Sequence, residues 1–150
     1  MDPLSGRSDD GGQALVIAVL GIGIAAATIV GLREAQERIL SAAHARRAGE
    51  AAVEAAGAAL ADAQVAFVRS LQDAGGGPRV LARRGEIAAL VSDPAVAEAA
   101  LGAARELAAE NDAGAPTDLS IRDAGVALEV TLTVDRQRHR VAIGAACCHP

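Results

Sequence analysis

The chain has no tryptophan, no tyrosine and one phenylalanine among its 150 residues. Large flat anchors are therefore missing. Their absence excludes an aromatic platform for stacking nucleic-acid bases and an aromatic belt at membrane interfaces. Lysine is absent too, so the 14 basic residues are all arginine, and 19 acids outnumber them to give a net charge of −5. Binding a phosphate backbone needs clustered cations. Here the arginines are scattered among carboxylates, so no nucleic-acid partner is expected. Cysteine is nearly absent. Cys147 and Cys148 are neighbours and cannot bridge each other without distorting the linking peptide. With His149 beside them and His44 and His139 elsewhere, they fall short of a four-ligand zinc pattern. They read first as part of an exposed tail, second as an intermolecular disulfide in an oxidising compartment, and last as metal ligands. No metal or other cofactor is expected.

What is present in excess is apolar chain near the N-terminus. No charged side chain occurs from Gly11 to Leu32, and from Ala14 onward the run is almost purely apolar. About 20 such residues, rising about 1.5 Å each in a helix, match the hydrocarbon thickness of a bilayer. No later segment compares, so the chain is expected to cross a membrane once. Within the run Gly23, Ala27 and Gly31 share one helical face, and small residues at that spacing let two helices approach closely in lipid. A secretory signal cleaved after Ala27 is the competing reading. Against it, the leader is acidic (Asp2, Asp9 and Asp10 against Arg7) and the apolar run continues to Leu32.

Nothing stops the helix at Leu32. Residues 33–74 contain no proline and consist mostly of Ala, Glu, Gln, Arg and Leu, all strong helix formers. Glu34 and Arg38 form an i,i+4 pair with the acid first. The helix is expected to end near Asp73, at a hinge of Gly75-Gly76-Gly77-Pro78, giving a rod of roughly 90 Å. Along it Leu32, Ile39, Val53, Leu60 and Phe67 recur in steps of seven, interrupted by Arg46, with a small residue three positions after each. A seven-residue repeat keeps one seam toward a partner helix, so Ile39, Val53, Leu60 and Phe67 are expected to pack against like helices.

After the hinge a short helix over 79–91 precedes Ser92-Asp93-Pro94, which starts a second helix with Asp93 as N-cap and Pro94 in its first turn. That helix is expected to stop near Asn111. The period then changes to two: Leu119 and Ile121, a turn at Asp123-Ala124-Gly125, then Val126, Leu128, Val130, Leu132 and Val134 on one face. A third strand is expected over 140–143, and helix 94–111 is expected to cover the sheet. The fold class is therefore α+β. Residues 1–12 are a polar leader, 13–74 the transmembrane helix and alanine-rich rod, 75–78 the hinge, and 79–150 a small head with a flexible tail. No catalytic set emerges. His44 and His139 read as solvated, Ser41 and Ser70 lack His/Asp partners, and the triple glycine lacks the Lys-Ser/Thr of a phosphate loop.

The order of these parts resembles the TadE/TadG-like minor pilins of the Tad (Flp-type) pilus system. The carriers are the glycine-ended leader before Gln13-Ala14-Leu15-Val16, the apolar run, the alanine-rich stretch around Ser41–Ala52, and the helix-and-hairpin head. The resemblance implies a structural, non-enzymatic component of the bacterial envelope. It would be anchored in the cytoplasmic membrane with its head outside, it would partner other pilin-like subunits or its own copies, and it would enter an extracellular filament when assembled. It also implies cutting by a prepilin peptidase after Gly12, leaving Gln13 first. The family's usual glutamate at the fifth mature position falls on Ile17 here, or on Val16 if the cut follows Gly11. An uncleaved single-pass membrane adaptor is the alternative, followed by a secreted binding domain. Arg33, Arg38, Arg46 and Arg47 against Arg7 would by the positive-inside rule put the C-terminal side in the cytoplasm; the family orientation is the opposite and is the one adopted.

Overall fold

The computed structural model describes residues 10–76 and 84–145. Helix α1 spans Asp10–Leu71 and passes into a wider π-type turn, Gln72–Gly76; α2 (Arg84–Val91) and α3 (Pro94–Glu110) follow, then strands β1 (Thr117–Asp123), β2 (Ala127–Val134) and β3 (Gln137–Gly144). The architecture is α+β, with the long apolar helix first and a small antiparallel sheet of order β1-β2-β3 last. The described helix includes Asp10, Gly11 and Gly12, so the end of the expected polar leader is helical. Residues 1–9, Gly77-Pro78 of the hinge, the start of the helix expected from 79, and Cys147 and Cys148 lie outside the described residues.

The chain divides after Ala42. In the first unit every described side chain of α1 is exposed. In the second, residues 43–71 of α1 join α2, α3 and the sheet in one core. The division thus falls inside the helix rather than at the glycine segment, because the head needs this part of α1 to bury its sheet.

Local chemistry explains the head's elements. The Asp93 carboxylate accepts from the Ala95 N–H at 2.9 Å, Pro94 occupies the first turn, and Asn111 forms the C-cap. The cap satisfies donors that a helix start otherwise leaves open. Gly125 takes a φ of 90° and donates its N–H to the Asp123 carboxylate at 2.7 Å, turning β1 into β2. In β2, Leu128, Val130, Leu132 and Val134 are all buried, alternating with half-exposed Ala127, Glu129, Thr131 and Thr133. Val126 was expected on the buried face; it precedes the strand and stands 83% exposed.

Two alanine rows set the helical layer. Ala48, Ala52 and Ala56 on α1 and Ala100, Ala104 and Ala108 on α3 are all buried. His44 Nε2–H donates to the Asn111 carbonyl at 3.0 Å, and Ala55 lies beside Ala103 and Leu107, so α3 runs antiparallel to this part of α1. The sheet is covered by more than the expected helix 94–111. On α1, a Cβ added to Gly57 would meet Val141 at 3.0 Å and Ile143 at 3.3 Å, and one added to Gly49 would lie 2.6 Å from His139 Cδ2. Both glycines sit directly on β3.

His139 corrects the sequence reading. It was expected to be solvated between two arginines, yet it is 8% exposed. β3 starts at Gln137, not Arg140, which places His139 opposite Leu132 and Val141 opposite Val130. Alternation then turns His139, Val141 and Ile143 inward.

Two stability outcomes follow. Gly49→Ala gains about 1 kcal/mol of helix propensity but overpacks the buried imidazole, which costs about 1–3 kcal/mol. Thermal unfolding of the detergent-solubilised chain should show a net loss. In the His139→Ala background the same change should become stabilising, and two effects of equal sign would refute the contact. At the β2–β3 turn, Asp135 and Arg136 take φ of 48° and 67°, the paired left-handed conformation that favours glycine in a two-residue hairpin. Arg136→Gly should therefore raise stability by about 1 kcal/mol, read as a higher unfolding midpoint.

Candidate membrane-anchoring helix

The segment from Ala14 to Leu32 lies in α1, which is long and apolar enough to cross a membrane, and none of its most apolar window is buried within the chain. Leu15, Val16, Ile17, Val19, Leu20, Ile22, Ile24, Ile29 and Val30 are all exposed. In water this surface would be unfavourable at about 25 cal/mol per Å² of apolar area. In a bilayer it is the required surface, because a helix satisfies its own backbone polar groups. The one hydroxyl in the run obeys the same rule: Thr28 Oγ1 donates to the Ile24 carbonyl at 2.8 Å.

Small residues notch this surface. Space is open around Gly23 and Gly31, and Gly23 and Ala27 line a shallow apolar groove of about 540 Å³ walled by Val16, Val19, Leu20 and Ile24. Gly12 and Gln13 lie in the first turns of α1 and are exposed, as is Ile17. Further on, Glu34 and Arg38 pair at 3.8 Å as expected. Arg46, the interruption in the seam, pairs with Glu50 at 2.8 Å on the helix surface.

The expected seam is split. Ile39 is 68% exposed, whereas Val53 and Leu60 are 3% and 0% exposed in the chain's own core, and Phe67 packs against that core half-buried. Val53 and Leu60 therefore bury their apolar surface in the chain's own core and not against a like helix. A seven-residue stripe serves either partner, and the pattern does not distinguish them.

Two of the polar side chains weighed for chemistry are occupied locally: Ser70 Oγ donates to the Phe67 carbonyl and His44 binds Asn111. His139 is packed against Gly49, and its buried Nε2 has no hydrogen-bond partner among the described residues. Among the described residues no group of three or more His, Cys, Asp or Glu is placed to hold a metal ion. A polar depression of about 300 Å³ lies on the outer face of the sheet, lined by Asp118, Ser120, Arg122, Glu129, Thr131, Arg138 and Arg140. Their signal was the polar half of the same alternation that gave the buried face.

Comparison of the chain with family models, with curated proteins and with solved structures gives no match.

The anchoring surface has a direct test. An arginine at the centre of a spanning helix costs about 2.5–3.5 kcal/mol. The pair Leu20→Arg and Ile24→Arg should move the chain from the carbonate-resistant membrane pellet to the supernatant. Retention in the pellet would show that the run is not what holds it.

Proposed function

We propose that the chain is a minor pilin-like or assembly component of a bacterial Tad-type pilus or secretion apparatus, held in the cytoplasmic membrane by its N-terminal helix with its head outside the cytoplasm. The observation that carries this reading is the division of α1: one helix combines a wholly exposed apolar stretch with a stretch built into a small α+β head. A lone exposed apolar helix fits a lipid environment and neighbouring helices, with the notch at Gly23 and Ala27 as the approach surface. Partners of this kind would be other pilin-like subunits or copies of the chain. The role is mechanical: anchor, pack and present the head.

Ile17 at the place of the family's glutamate supports a second reading, an uncleaved single-pass adaptor. A charge in the bilayer must be paired or is expensive, so an apolar residue there suits a helix that stays in the membrane.

Mass analysis of the N-terminus of the chain isolated from its native membrane separates the two. A start at Gln13, lost on Gly12→Leu, is expected for a processed pilin. An intact Met1 would favour the adaptor, and a start at Thr28 would point to a secreted domain.

A further inference from the structure

We propose that the outer face of the sheet docks into the groove between α1 and α3 of a second copy of this chain; this rests on the reading of the chain as an assembling subunit. Two charge clusters of opposite net sign carry the inference. On the sheet, Arg122, Arg138 and Arg140 line one depression with Asp118 and Glu129, a net positive set. Arg140 is held by Glu129 at 2.5 Å, while Arg122, opposite the same Glu129 in the strand register, and Arg138 form no ion pair among the described residues. On the helical layer, Glu106 and Glu110 border a groove of about 290 Å³ floored by Ala55, Ala103 and Leu107. These two glutamates are one turn apart, where like charges repel, and neither they nor Arg105 between them and the preceding turn forms an ion pair among the described residues.

The fold keeps the clusters apart within one molecule. The inner face of the sheet is filled by the helices, so the arginine face points away from the helical layer. A second copy can bring the sheet arginines to Glu106 and Glu110. The shapes suit this: the groove floor is small and apolar, and arginine stems can lie along such surface while the guanidinium reaches a carboxylate. Because the two patches differ, the contact is heterologous, and repetition gives a ring or an open filament rather than a closed two-fold dimer.

Sedimentation of the full-length chain in detergent, at low and high salt, tests this. At low salt the wild type should sediment as species larger than one copy. Arg122→Glu with Arg138→Glu should abolish them, as should Glu106→Arg with Glu110→Arg. Mixing the two variants in equal amounts should restore them, since each then offers the complement of the other. Self-association unchanged by both reversals, or mutual exclusion in the mixture, would overturn the inference and leave the arginine face to an acidic partner other than this chain. Processing at Gln13 is read separately. Assembly without that cut would retain this contact and remove the pilus reading, and the cut without assembly would do the reverse.

Discussion

Close approach of α1 to the β2–β3 pair is the constraint on which the rest depends. Gly49 and Gly57 carry no Cβ at the two places where one would strike His139, Val141 or Ile143, and Ala52 and Ala56 fill the interval with methyl groups. A chain with one phenylalanine and no tryptophan or tyrosine has few side chains that span a wide gap between layers. It closes the gap instead. The largest fully buried side chains are Leu60, Ile87, Leu128, Leu132, Val130 and Val134, and interiors built from such units tolerate little empty space. Small residues on the helix and branched residues on the strands are two halves of one packing solution.

That solution commits α1 to two environments. Up to Ala42 its side chains are exposed, and from Ala48 onward one stripe is buried. Ordinary amphipathic patterning explains the second part. The first part has no polar face between Ala14 and Leu32 and therefore needs a medium other than water all round. The exposed Ile39 and Leu40 continue apolar surface beyond the charged pair Glu34–Arg38, so part of the expected seam stays available to a neighbour even though Val53 and Leu60 do not.

Elements fixed by short-range chemistry were legible in the sequence: the Asp93-Pro94 helix start, the Gly125 turn, the alternation of β2 and the apolar run. Each depends on a few adjacent residues whose chemistry admits one local answer. The destination of the helical stripe was not legible, because a like helix and a three-stranded sheet demand the same spacing of Val53, Leu60 and Phe67. His139 was misread for a related reason. Flanking arginines suggest solvent, but strand geometry separates neighbours onto opposite faces, and only the position of the β2–β3 turn decides which face histidine takes. The arginine face was hidden in the same way, since Arg122 and Arg138 are far apart in sequence and meet only through β2.

Charge placement completes the argument. On the sheet Arg140 is neutralised by Glu129, which also faces Arg122 across the strand pair, while Arg138 forms no ion pair among the described residues, and Glu106 and Glu110 lie one helical turn apart. The glutamate pair is unfavourable in the isolated chain, and the proposed contact between copies would relieve it. Copies anchored through α1 in one membrane would share one orientation relative to it. Symmetry between them would then be limited to rotation about the membrane normal and translation in its plane. A contact between two different patches is compatible with either, and its length of repetition is set only by whether the rotation closes.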